Sequence, residues 1–446
     1  MERQQQAERA APAAPSFGVA LIWWFKLGCI SFGGPAGQIA VMHRELVEMR
    51  RWISEKRFLH ALNYCMVLPG PEAQQLATYI GWLLHGARGG IAAGALFVLP
   101  SLALLIGLSW GYMAFGAVPA VAALLWGIKP AVVAVVAFAA WRIGKRVLRN
   151  GALWALAIAA LLAIAVLRLP FPAIILAAAL LGALGGHWRP SWFRSGGGHA
   201  AKAGEHWPAL IDDDTPPPAW ARFSWRRLAG IAAIGLALWA LVIGIVVAVY
   251  GFDRVFTPMA LFFSKAALLT FGGAYAVLPY VYQAAVEHYQ WLSAPQMIDG
   301  LALGESTPGP LIMVTAFVGF VGAWQHAGID PFLAGVIGAC VATWFTFLPS
   351  FVFILAGGPL IESTHDNLRL TAPLTAISAA VVGVIANLAL FFAWHVFWPA
   401  GVWSAPDWPA VVLALLAAAA LFSQRLGMMP VLGLCALAGL VRYALS

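Results

Sequence analysis

The sequence predicts an all-α polytopic membrane protein made of two homologous six-segment halves, with broken or re-entrant helices at two Pro-Gly-Pro motifs. Three observations lead there. Of the 446 residues, 62% are hydrophobic and 10% are charged, far from the balance of a soluble domain. Apolar runs long enough to cross a bilayer, about 18 to 25 residues each, recur from end to end, among them 91–114, 118–140, 228–250 and 332–356. Residues 26–71 also repeat at an offset of 239 with twelve of forty-six positions identical, where unrelated sequence would give roughly three.

In chain order, residues 1–15 form a polar tail, MERQQQAERAAPAAP, without the cationic start, short apolar core and cleavage site of a signal peptide. The first repeat covers 16–186. A Gly-, Pro- and charge-rich stretch over 187–227 reads as a solvated cytoplasmic linker. One connecting transmembrane helix follows over 228–250, and the second repeat covers 251–446. Pro100-Ser101 answers Pro349-Ser350 at an offset of 249, so the second copy has gained ten residues, which we place in the loop WQHAGIDP at 324–331.

Counting six segments per half plus the connecting one gives about thirteen crossings, and that odd separation inverts one half against the other. Arg142, Lys145, Arg146 and Arg149, read as a loop, and the basic linker put the linker side in the cytoplasm. Against this, Arg44, Arg50, Arg51, Lys56 and Arg57 then fall outside, balanced in part by Glu45, Glu48 and Glu55. A re-entrant Pro-Gly-Pro segment would remove the conflict and make the repeats parallel; inversion is the favoured arrangement.

Topology accounts for the net charge of +8, so nucleic acid is not an expected partner. Cys29, Cys65, Cys340 and Cys435 lie in apolar segments without ligand spacing, and HAAKAGEH in the linker is too isolated for a metal site. No Walker A, GxSxG or HExxH pattern occurs, which argues against an ATP-driven pump and against a serine or zinc hydrolase. Neither a cofactor nor a catalytic residue is expected.

The chemistry is concentrated in the repeat. KLGCISFGGP (26–35) and KAALLTFGGA (265–274) each set a lysine in an apolar run before a glycine pair. Taken as one helix, the first places Lys26, Gly33 and Gly37 within about 20° of one line, and the second places Lys265 over Gly272 and Ala276 in the same way. Small residues mark close-packed faces, so both lysines are expected to point inward; snorkelling to an interface is the alternative.

LPGPEAQQ (68–75) and TPGPLIMV (307–314) interrupt apolar stretches, and two prolines flanking a glycine cannot continue an α-helix. Irregular backbone at membrane depth survives in protein or beside a cavity, and the following half-helix offers free N–H groups to an anion. The candidate substrate ligands are therefore Lys26, Gly33, Gly34, Gln38, Pro69, Gly70, Pro71, Gln74 and Gln75 in the first half. In the second half they are Lys265, Gly272, Gly273, Ser306, Thr307, Pro308, Gly309 and Pro310. Glu72 and Glu305 are candidates for a coupling proton, with simple ion pairs to Lys26 or Lys265 as the rival reading.

FGGPAGQIAVMHRELVEMRRWISEKRF followed by VLPGPEAQQLATYIG, with FGGAYAVLPYV, WLS and TPGPL in the second half, resembles the chromate ion transporter family in its long, two-domain form. The motif positions include Pro35, Arg44, Glu45, Trp52 and Ser54, and Trp291 with Ser293. The second copy departs at Ala274 and Gln296, where the first has Pro35 and Arg57.

The resemblance implies a multi-pass bacterial inner-membrane protein that exports chromate, with sulfate as its analogue, in exchange for protons. Chromate resistance would follow. Membrane lipid surrounds such a protein, and a homodimer is a candidate assembly. The alternatives left open are a sulfate or other oxyanion carrier, an intramembrane enzyme, or a membrane scaffold.

Overall fold

Sixteen α-helices carry the fold in a computed structural model that describes residues 12–189, 192–193, 208–216, 218–363, 371–401 and 404–445. HAAKAGEH lies outside the described residues. The first half contributes α1 (Phe17–Ile30), α2 (Gly34–His43), α3 (Glu55–Val67), α4 (Glu72–Phe115), α5 (Pro119–Val147), α6 (Gly151–Ala165) and α7 (Phe171–Trp188). After α8 (Trp225–Tyr250) come α9 (Phe256–Leu269), α10 (Ala274–Tyr282), α11 (Ala294–Ser306), α12 (Val314–His326), α13 (Pro331–Ser363), α14 (Thr371–Phe397), α15 (Trp408–Phe422) and α16 (Met428–Leu445).

The expected thirteen crossings are not found, because the leading segments of each half are too short. Helices α1 and α9 have 14 residues each, about 21 Å at 1.5 Å per residue, well under a bilayer core. Seven helices among the described residues are long and apolar enough to cross: α4, α5, α7, α8, α13, α14 and α16.

Glycine geometry stops the short helices. Helix α1 ends at Ile30, Gly33 and Gly34 take φ of 88° and 68°, and α2 starts anew. In the other half α9 ends at Leu269, and Gly272 and Gly273 take φ of 80° and 95°. This corrects the single-helix reading: Lys26 shares no helix with Gly33 or Gly37, and Lys265 none with Gly272 or Ala276.

Each short helix then returns toward the end it came from. Helix α2 runs into a π-helical stretch, Arg44–Met49, and α10 into another, Gln283–His288. Both stretches close on a residue in the left-handed region, Arg51 (φ 51°) and Gln290 (φ 53°). Buried Trp52 and Trp291 follow, and then the caps Ser54 and Ser293, whose hydroxyls accept from Arg57 N and Gln296 N. The W-[IL]-S motif is thus a helix start, worth about 1 kcal/mol as a cap.

The Pro-Gly-Pro segments break as the sequence predicts: α3 ends at Val67 before Leu68, and α4 starts at Glu72. Thirteen residues later α4 kinks at His85 and Gly86 (φ 64°, ψ −158°). That kink lies beside the start of the chain, with His85 Nε2 3.0 Å from Pro15 O, and beside the segment after the linker, where Trp220 Nε1 donates to Trp82 O at 3.0 Å. In the second half the same position is a full turn between α12 and α13, where the ten added residues were expected.

Part of the linker is docked, which the solvated reading did not anticipate. Leu210 N donates to Arg51 O (2.9 Å), Ile211 N to Trp52 O (3.1 Å) and Ser54 N to Ile211 O (2.9 Å). Arg57 Nη2 and Nε donate to Thr215 O and Asp212 O at 2.6 and 3.2 Å. Residues 50–57 therefore share an end of the bundle with the linker, and the charge conflict disappears. At the opposite end Arg254 reaches Ala327 O, and Gln325 reaches Trp291 O, so the hairpins of the second half open there.

Side chains from the two halves interlock. Ile354 and Leu355 of α13 pack into the core formed by α1 to α3 and the start of α4, whereas Val98 and Leu105 of α4 join a core that α5 to α7 share with the second half. Backbones approach where side chains are small: a Cβ on Gly28 would lie 2.3 Å from Leu96 O, and one on Gly127 2.1 Å from Cys435 O. Such contacts hold helices together where lipid removes the hydrophobic drive.

Two polar clusters lock the ends. Arg57 pairs with Glu362 at 2.5 Å, and Tyr79 also binds that carboxylate. Lys129 lies 3.3 Å from Asp299 Oδ2, which accepts from Tyr112 at 3.0 Å. Asp299 is 3% exposed, and stranding a buried charge costs about 3 to 5 kcal/mol. Lys129→Met is therefore expected to lower the unfolding temperature in detergent markedly, with partial recovery in Lys129→Met/Asp299→Asn; an unchanged melt would remove the pair from the stability of the fold.

Candidate functional site

The broken backbones meet in a crossed pattern, each glycine pair of one half against the Pro-Gly-Pro of the other. At the first junction Gly309 N donates to Ser31 O at 2.8 Å, while Gln38 Nε2 donates to Gly309 O at 2.5 Å and Ser31 O at 3.3 Å. Ser101 of α4 packs on Gly309, where an added Cβ would lie 2.6 Å from Ser101 Cβ. At the second junction Gly70 N donates to Thr270 O at 2.7 Å, and a Cβ on Gly70 would lie 2.3 Å from Ser350 Oγ of α13. Pro100-Ser101 and Pro349-Ser350, noted in the sequence only as a repeat, are the floors of the two junctions.

Helices begin at both junctions without side-chain caps. The N-cap residues of α2, α4 and α10 are Gly33, Pro71 and Gly273, and Pro310 precedes the short turn Leu311–Met313 that leads into α12. None of the four caps offers a side-chain acceptor; Ala276 N and Met313 N turn back to Gly273 O and Pro310 O at 3.0 and 2.9 Å, and the other first-turn N–H groups have no side-chain cap. An anion suits them, because the N-terminal end of a helix carries positive partial charge.

The polar side chains predicted after the breaks are buried there. Gln74 Nε2 donates to Thr78 Oγ1 (3.0 Å), and Gln75 Nε2 to Pro69 O (2.8 Å) and Ser350 Oγ (3.4 Å). Ser306 and Thr307 instead close the end of α11, with hydroxyls donating to Leu303 O and Gly304 O, both at 2.9 Å. Thr307 is buried and Ser306 exposed.

Neither carboxylate meets the lysines suggested for it. Glu305 accepts from Tyr275 Oη at 2.5 Å, and an added Cβ on Gly273 would lie 4.0 Å from Glu72 Oε1. Arg142 and Arg146 lie on α5, which ends at Val147. These arginines are one turn apart on α5 and so share a face, and Arg146 Nη2 lies 3.5 Å from Met66 Sδ, just before the first Pro-Gly-Pro. They form the last turns of a helix and not the loop inferred from their charge, and the placement of Arg146 beside the first Pro-Gly-Pro is what sequence reasoning missed.

Lys26 and Lys265 do not join the junctions. Each is exposed, Lys26 among exposed Ile22, Phe25 and Ile30, and Lys265 near exposed Leu268. Their placement fits snorkelling along an apolar surface. The inward orientation failed because it assumed an unbroken helix from Lys26 to Gly37.

A sequence profile described as chromate transporter matches residues 19–183 and 257–440. The chain belongs to the chromate transporter family. It is 36% identical over 379 residues to the chromate transport protein of Pseudomonas aeruginosa, covering 84% of this chain and 81% of that one. It is 29% identical over 432 residues to the chromate transport protein of Cupriavidus metallidurans, covering 95% and 93% of the two chains. A probable chromate transport protein of Synechococcus elongatus is 27% identical over 396 residues, or 89% and 87%. No solved structure gives a significant match.

The profile matches the two regions that carry the junction motifs. Between them lie the linker and α8. Among the described residues no group of His, Cys, Asp and Glu could hold a metal ion.

Proposed function

We propose that this member of the chromate transporter family is a secondary active transporter. In our reading it exports chromate across the bacterial inner membrane, coupled to the proton-motive force, and so confers chromate resistance. The observation that carries the reading is the crossed pair of uncapped helix starts, buried between two halves of a multi-pass chain whose relatives bear the name chromate transport protein. A tetrahedral dianion needs hydrogen-bond donors, and helix N-termini supply them, with Arg146 beside the first Pro-Gly-Pro.

We read the halves as inverted repeats, although the Pro-Gly-Pro segments turn back: both halves carry the same re-entrant hairpins, so re-entrance in each leaves the inversion intact. Hairpins α1–α2 and α3–α4 open toward the linker, and α9–α10 and α11–α12 open toward the other end. Rocking one half against the other then exposes the junctions to each side in turn. Glu305 and Glu72 carry the exchanged protons in this scheme.

Chromate uptake into everted vesicles tests the reading. It is expected to be saturable, slowed when the pH gradient collapses and competed by sulfate, which offers the same tetrahedral oxygens; uptake indifferent to the gradient would remove proton coupling. Lys26→Gln and Lys265→Gln are expected to leave this uptake near the level of the native chain, and its loss in either at normal protein abundance would return that lysine to the site.

A further inference from the structure

The two junctions are built alike but are not satisfied alike. At the first, the hydroxyls of Ser31 and Ser101 are both 0% exposed and neither has a hydrogen-bond partner. Both belong to residues that touch Gly309, Ser31 through its carbonyl and Ser101 by packing. At the second, each corresponding oxygen has a partner: Thr270 Oγ1 donates to Ala266 O at 2.6 Å, and Ser350 Oγ accepts from Gln75 Nε2 at 3.4 Å. Amide oxygens without a partner occur at both junctions, Gln38 Oε1 at the first and Gln75 Oε1 at the second, with Gln74 Oε1 nearby in α4, so the difference lies in the hydroxyls.

Burying a hydroxyl without a partner is costly, and two on one glycine amount to a site whose donors are held for a ligand. Two orphaned hydroxyls suit an anion; the second junction, where Thr270 donates to its own helix and Glu72 lies in the same turn as Gln75, does not. Gln38 fixes the first junction, since its amide nitrogen is committed to Ser31 O and Gly309 O, and the second half has Val277 in its place.

We infer that the oxyanion binds at one junction only, the one formed by Ser31, Gln38, Ser101 and Gly309, with the Ser31 and Ser101 hydroxyls donating to it. This inference rests on the oxyanion-transport reading and goes beyond it by assigning unequal roles to the halves. Its pseudo-equivalent at Gly70, Thr270, Gln75 and Ser350, where Thr270 is committed to Ala266 O and Glu72 lies in the same turn as Gln75, holds no anion.

Equilibrium binding of radiolabelled chromate, and separately of sulfate, to the purified full chain tests this, with thermal melts in the presence and absence of anion. Ser31→Ala and Ser101→Ala are each expected to weaken binding about tenfold or more, the loss of a hydrogen bond to a charged group. Their anion-free melts should stay at or above that of the native chain, because an unpaired hydroxyl contributes no stability. Thr270→Val and Ser350→Ala should bind as the native chain does.

Native-like binding in Ser31→Ala and Ser101→Ala would overturn the assignment while leaving transport intact. Equal losses at both junctions would do the same, as would anion-free destabilisation in the Ser31 and Ser101 variants, since it would show their hydroxyls to be paired within the fold. A native chain that binds neither anion would instead sink the transport reading itself.

Discussion

Gly309→Ala is expected to abolish chromate uptake. Gly309 has φ of 103°, in a region that side-chain-bearing residues rarely adopt, and leaving it means giving up the bond from Gly309 N to Ser31 O. If the backbone held, the new methyl would stand 2.6 Å from Ser101 Cβ, a contact no rotamer change relieves. Overpacking of this kind costs about 1 to 3 kcal/mol, and left-handed strain adds roughly 1 to 2 more. Gly70→Ala (φ 127°) meets the more mobile Ser350 Oγ and Gln75 Nε2, so a smaller defect is expected there. Uptake in everted vesicles at matched protein levels gives the comparison, and an active Gly309→Ala would show that this junction does not form part of the path.

Glu305→Gln is expected to separate chromate movement from the pH gradient. Gln is nearly isosteric and can still accept from Tyr275 Oη, so the fold should hold, while the group that exchanges a proton is gone. A proton taken or released at Glu305 changes the local charge by one unit beside Tyr275, and exchange of a dianion for protons depends on such a change. Uptake measured with and without a protonophore should differ in the native chain and coincide in Glu305→Gln. If Glu305→Gln and Glu72→Gln both keep the native dependence, the protons travel elsewhere.

Local breaks were legible in the sequence, because proline and glycine act on their own neighbours. Two prolines around a glycine end α3 and α11 wherever the chain places them, and the offset of 239 joins positions whose backbones share the same irregularities, from the glycine pairs to Arg51 and Gln290. Crossing was not legible. Nothing near Ser31 says that its carbonyl will accept from Gly309, because that contact depends on the way two halves interlock. The lysines misled because the double glycine that repeats beside each one also breaks the helix that was meant to aim it. Arg142 and Arg146 were read by charge alone, as markers of sidedness, although four-residue spacing on a helix also aims two side chains the same way.

Chromate flux into liposomes containing only the purified chain, with Ser31→Ala/Ser101→Ala and Lys26→Gln/Lys265→Gln prepared in parallel, tests the central claim most directly. The account predicts saturable flux for the native chain and the lysine variant and little for the serine variant. No flux from correctly inserted native protein, or flux lost with the lysines and kept without the serines, would contradict it.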